Sequence, residues 1–251
     1  MILGSGLLTA SGKTTLTLYT TRSGTFNPTI VASDTSGITW TWPDGSTYTG
    51  GTPSKALAGG TQTIRITFDD PTLVTELNFQ SQNMTGTWPL ASLAKFTALT
   101  RLQAYSNSAL NVTGSLADAP AGLTYLNLSG TSSVITGSLA DAPAGLTYLY
   151  LGSTFSNISG GATAMAAVGI REIRVDSSST TQANIDDILM RLYTDRASFT
   201  YATPVCNVGG TNPDPTGTYA DATPPTTGLE YAYKLVVDPD AEGFKKWAIT
   251  Y

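Results

Sequence analysis

Chemistry in this chain must come from carboxylates, hydroxyls, amides and tyrosines. There is no histidine, which removes the commonest general base and the commonest metal ligand. It also removes any Ser-His-Asp or Cys-His arrangement. Cys206 is the only cysteine, so there is no disulfide framework and no thiolate metal site. No Gly-x-Gly-x-x-Gly follows a strand pattern, and there is no phosphate loop. Several carboxylates stand in patterns that merit testing. Asp44 before Gly45 reads as a turn that hydrogen-bonds its own backbone rather than a metal site. Asp186 and Asp187 are neighbours in a helical stretch and do not face each other, so they read as solvated helix-start charges. Asp238, Asp240 and Glu242 are spaced like calcium ligands, but the glycine and distal glutamate of an EF-hand loop are missing, which leaves a plain turn. Glu76 and Glu172 fall on equivalent positions of a repeat. At about 4.8 Å per repeat they are too far apart for a glycosidase pair. These residues predict no enzyme, no metal and no cofactor.

What remains is a set of tyrosines, amides and arginines at recurring positions, and a repeat that must place them. The same fourteen residues, Thr-Gly-Ser-Leu-Ala-Asp-Ala-Pro-Ala-Gly-Leu-Thr-Tyr-Leu, occupy 113–126 and 136–149 without a change, offset by 23. A fixed period of this size predicts a solenoid in which each unit buries its apolar edge against the next. A Leu-x-x-Leu-x-Leu pattern gives Leu123, Leu126 and Leu128, then Leu146, Leu149 and Leu151. It extends upstream to Leu99, Leu102 and Ala104 and to Val74, Leu77 and Phe79, and downstream to Ile170, Ile173 and Val175. A sixth unit ends in Cys206 and Val208, where the cysteine replaces a core leucine and reads as a buried, inert thiol.

This pattern resembles the leucine-rich repeat family over roughly residues 74–212. Residues 84–89 (Met-Thr-Gly-Thr-Trp-Pro) look like the Leu-Thr-Gly-x-Ile-Pro motif of one of its subclasses, and 113–116 and 136–139 are shortened forms of it. The family's asparagine after the strand is present at Asn107, while Thr131, Thr154 and Ser178 fill the slot elsewhere. That departure predicts a turn ladder carried by hydroxyls.

In each predicted strand the leucines point inwards and the intervening residues face out on the concave sheet. The outward set is Glu76, Asn78 and Gln80; Arg101, Gln103 and Tyr105; Tyr125, Asn127 and Ser129; Tyr148, Tyr150 and Gly152; then Glu172, Arg174 and Asp176. The binding candidates are Arg101, Gln103, Tyr105, Tyr125, Asn127, Tyr148, Tyr150 and Arg174. Tyrosine offers rigid contact area with a polar tip, which suits recognition. Strand propensity alone would also put tyrosine there.

Around the repeat, residues 1–70 are predicted to form a small β-sandwich, from alternating stretches at 14–19, 38–42 and 63–68. Residues 40–47 (Trp-Thr-Trp-Pro-Asp-Gly-Ser-Thr) resemble the Trp-x-Phe-Gly-Asp-Gly-Thr motif of PKD-like immunoglobulin sandwiches, with Pro43 in place of the first glycine; 60–67 matches their later strand. Residues 71–212 are read as the solenoid. The only helix expected is 181–197, with Thr181 as cap and an apolar stripe of Ile185, Ile188, Leu189, Leu192 and Tyr193 closing the array. Residues 213–251 are read as a loop and a β-hairpin cap, with strands at 231–237 and 246–251.

The fold expected is therefore mainly β, a leucine-rich-repeat solenoid of five to six rungs between a small sandwich and a C-terminal helix and hairpin. Charged residues are 12% of the chain and the net charge is −5 with no basic cluster, which argues against nucleic acid as a partner. No apolar run reaches membrane-spanning length, so no membrane insertion is expected. The apolar start, residues 1–8, lacks the basic flank and cleavage site of a signal peptide. Low charge with abundant Thr, Ser and Gly points to a virion or extracellular surface. The expected function is non-enzymatic: a virion- or tail-associated component recognising protein or cell-surface glycan, with other virion proteins or a second copy as further partners. A secreted bacterial adhesin is the alternative, and a carbohydrate-active enzyme a distant third.

Overall fold

Period-two alternation makes the first strands, because one face of each can be buried while the other stays wet. The computed structural model describes residues 12–237 and 246–251. The early strands are β1 (Thr14–Thr20), β2 (Ser23–Phe26), β3 (Thr29–Ala32), β4 (Ile38–Thr41), β5 (Thr47–Thr49), β6 (Lys55–Ala58) and β7 (Gln62–Phe68). β1 alternates buried and half-buried along its length and pairs antiparallel with β7, which also pairs with β4. Phe26, Trp40 and Trp42 form one aromatic cluster, with the two indoles stacked at 5.9 Å. At the β4–β5 turn Asp44 accepts hydrogen bonds from Ser46 and meets Lys55, as a self-bonded turn should.

Beyond residue 70 the strands shorten and recur with the repeat, two to each of the first three units. Successive short strands are β8 (Val74–Asn78), β9 (Met84–Pro89), β10 (Arg101–Gln103), β11 (Ala109–Ser115), β12 (Tyr125–Asn127), β13 (Val134–Thr136), β14 (Tyr148–Tyr150) and β15 (Glu172–Arg174). They are followed by α1 (Gln182–Thr194), β16 (Val205–Asn207), α2 (Gly228–Val236) and β17 (Ala248–Thr250). The chain is thus mainly β, with two α-helices among the described residues. No helix among them is long and apolar enough to cross a membrane.

Two open sheets hold all of these strands but β2 and β6, which pair antiparallel with each other. The larger has the order β17-β16-β15-β14-β12-β10-β8-β3; β8 to β17 are mutually parallel and β3 joins antiparallel. The register puts Leu77, Leu102, Leu126, Leu149, Ile173 and Cys206 in one column, all buried. The other sheet runs β13-β11-β9-β1-β7-β4-β5. It takes β9, β11 and β13 in parallel from between the strands of the larger sheet, then passes through the antiparallel β1–β9 pair into the early strands. Strand pairing therefore crosses residue 70 twice, at β3–β8 and β1–β9.

The turns after the larger sheet's strands repeat a backbone device. Ser81, Ser106, Gly130, Ser153, Ser177 and Gly210 each lie two residues past a buried apolar position, with φ between 51° and 77°. One residue further, Asn107 donates to the carbonyls of Phe79 and Ala104 and accepts from the N–H groups of Gln82 and Met84. Thr131, Thr154 and Ser178 instead donate to Leu128, Leu151 and Val175 and accept from Ser133, Ser156 and Thr180. Asn212 donates to Val175 and Val208. The hydroxyl ladder is present.

The C-terminal region departs from expectation. Residues 231–237 are not a strand. They lie mostly in α2, because Thr227 and Glu230 make a capping box and the apolar residues Leu229, Ala232 and Leu235 recur every three positions. Among the described residues the C-terminal region holds no hairpin: β17 adds to β16 in parallel, at the next place in the stack. The acidic turn of Asp238, Asp240 and Glu242 lies outside the described residues, as does the apolar start. Asp186 and Asp187 are not freely solvated either. Asp187 Oδ2 accepts the N–H groups of Gly160 and Gly161, and Asp186 accepts from Thr216 N and Oγ1, so both tie loops to α1. The stripe of Ile185, Ile188, Leu189 and Leu192 is buried as expected, and Arg191 and Asp195 form a buried pair with Asp195 also holding Met165 N–H.

Candidate functional site

Two rows of side chains face outward on the larger sheet, because strand residues alternate about the buried column. Register fixes the first row as Glu76, Arg101, Tyr125, Tyr148, Glu172 and the second as Asn78, Gln103, Asn127, Tyr150, Arg174. Seven of the eight candidates therefore share two rows. Tyr105 does not: it follows β10 by two residues, and no ring contact to the other tyrosines involves it.

The centre of the rows is a tyrosine triad. The ring centroids of Tyr125, Tyr148 and Tyr150 lie 5.5, 5.5 and 6.0 Å from one another. These are tilted and edge-on contacts of the kind aromatic quadrupoles favour. Each ring is half-buried. Arg101 lays its guanidinium over Tyr125 at 3.8 Å, and Arg174 approaches the Tyr150 ring at 5.6 Å.

The charges close among themselves. Glu76 accepts from Gln103 Nε2 at 2.8 Å and faces Arg101 at 3.6 Å. Glu172 is held by Arg174 and accepts from the Tyr150 hydroxyl at 2.6 Å. Burial and the hydrogen bond to Glu172 push the Tyr150 phenol above its ordinary value, while Glu172 raises Arg174. The triad is thus a fixed neutral platform with an ion pair at each end.

Cys206 sits in the apolar column, where burial pushes its thiol up to about 12. Sequence reasoning missed Gln82 and Asn212 as buried amides. Asn212 escaped the pattern because it lies four residues past Val208, whereas Asn107 lies three past Ala104. A short polar recess of about 270 Å³ opens at the β8 end of the rows, lined by Arg22, Asn27, Thr29, Asn78, Gln80 and Gln82. No residue on either side of it carried a signal in the sequence that joined the two.

Compared with known proteins, the chain matches no family model and no curated relative.

Proposed function

We propose that the chain is a leucine-rich-repeat protein with a PKD-like N-terminal unit, acting without catalysis as a binding or structural component of a virion, tail or cell surface. In this reading residues 1–70 attach or space the molecule, residues 71–212 form the solenoid, and residues 213–251 cap it with a loop, a helix and a last strand. The concave face recognises a protein or a surface glycan. The observation that carries the reading is the tyrosine triad at the middle of the parallel sheet, bracketed by Arg101 and Arg174. Central aromatics and arginines with self-satisfied neighbours are what dominate binding energy at recognition surfaces. The strict register of the rungs supports the solenoid, and the spacing of about one strand every 24 residues supports the family.

The test is a pull-down from cell-surface extract and, in parallel, from assembled particles, with the wild-type chain and a Tyr125→Ala/Tyr150→Ala variant. A partner lost with the variant supports the face. Capture from particles alone favours a virion component, and capture from cell surface alone an adhesin. Undiminished capture by the variant moves recognition to another surface.

A further inference from the structure

Resting on that reading, we infer that the face takes a linear, uncharged oligosaccharide laid along the two rows, one sugar per strand, with one end in the recess beside β8. Four observations carry this. First, the strands beneath the rows are all paired on both edges, so no free backbone is offered to an added peptide strand. A partner must be read by side chains alone. Second, the four charges in the rows cancel, two glutamates against two arginines, and each carboxylate already has its donors. Asp176 just past β15 and Arg22 in the recess add one further charge of each sign, so the face offers no net charge to a charged partner, and the Asn78 amide N–H groups with the Tyr125 and Tyr148 hydroxyls remain for neutral donors and acceptors.

Third, the rings suit sugars. The C–H face of a pyranose is polarised positive and matches the negative face of a tyrosine, while its hydroxyls need amide partners of the kind Asn78 and Asn127 supply. Fourth, the geometry is periodic. Neighbouring strands lie about 4.8 Å apart, close to the advance of one pyranose unit, so each strand can meet one sugar. The row from Asn78 to Arg174 crosses β8, β10, β12, β14 and β15, a span of roughly 19 Å. The recess at its end is walled by fixed amides: Gln82 accepts from Asn27 N–H and donates to Gln80, and Arg22 is held by Thr25 and Ser81. Its volume of about 270 Å³ accommodates one terminal sugar.

The experiment is titration calorimetry of the whole chain against linear neutral oligosaccharides of two to six units. The panel comprises β-1,4- and β-1,3-glucans, chito-, xylo-, manno- and galacto-oligosaccharides. At least one series is expected to bind, with affinity rising with length and levelling off at four to five units. Tyr125→Ala and Tyr150→Ala each lose tenfold or more, while Tyr125→Phe, which keeps the ring, loses under threefold; matching melting curves show that the variants are folded. Absence of binding across the panel, affinity independent of length, or tyrosine variants that bind unchanged would each overturn the inference. Capture of a protein partner that needs the same tyrosines and ignores excess oligosaccharide overturns the glycan but leaves the recognition face. Capture that ignores the tyrosines overturns both.

Discussion

Residues 113–126 and 136–149 have one sequence and two sets of neighbours. The first copy lies between β9 and the second copy, and its lead-in strand β11 is seven residues long. The second has a three-residue lead-in, β13, and leans on residues 159–161 through Ser159 and Gly160 carbonyls. That segment in turn hangs on Asp187 of α1. Local features are nevertheless the same: a capping box at Ser115 and Asp118 or Ser138 and Asp141, a left-handed glycine before it, and a tyrosine facing out. The hydrogen bonds are not. Asp141 accepts from both Ser138 N–H and Oγ, whereas Asp118 accepts from Ser115 N–H and leaves the Ser115 hydroxyl to Ala117. Sequence thus sets the local shape of each copy, and its neighbours set how firmly each part is held.

Equivalent substitutions in the two copies test this separation. The largest effect should come from Leu126→Ala and Leu149→Ala, each buried in the same column and each costing about 2–5 kcal/mol in equilibrium denaturation. Near-equal losses are expected, and a loss below about 0.5 kcal/mol at either would break the shared register. Next is Asp187→Ala, which strips an acceptor from Gly160 and Gly161 N–H groups and should cost about 1–3 kcal/mol. Faster hydrogen exchange is expected at 159–161 and in the second copy, with the first copy unchanged. Then come Asp118→Ala and Asp141→Ala, each removing half a capping box for about 1 kcal/mol, with the larger loss at Asp141. Equal melting temperatures for the two would show that the extra hydroxyl bond contributes nothing. Smallest are Tyr125→Ala and Tyr148→Ala, at about 1 kcal/mol or less. Tyr125 should lose slightly more, because Arg101 covers it, and the difference should shrink in an Arg101→Ala background.

The repeat was legible because its signal is redundant: Leu126 and Leu149 are named by position, by period and by an identical context. Most of the candidate rows followed, since alternation about the leucines leaves no choice of face. Tyr105 was placed by the same counting, but the strand ends at Gln103 and the alternation ends with it. The C-terminal helix was misread because Tyr231, Tyr233, Leu235 and Val237 alternate like a strand, while its true signal, Thr227 with Glu230, lay just ahead of the stretch. Asp186 and Asp187 looked solvated because the loops they hold, at 160–161 and 216, are far away in sequence. Long-range partners of this kind leave no periodic trace.

The offset of 23 residues between identical segments, joined strand to strand in parallel register, has an evolutionary consequence. Where the coding sequences of two such tandem segments are alike they can misalign during recombination, and a unit is then gained or lost in a single event. Excising 127–149 joins Leu126 to Tyr150 with the inward and outward phases intact, and leaves a sheet one strand narrower. The face would then shorten by about 4.8 Å without any change of chemistry at its ends. The reach of such a face is therefore set in whole steps of one strand.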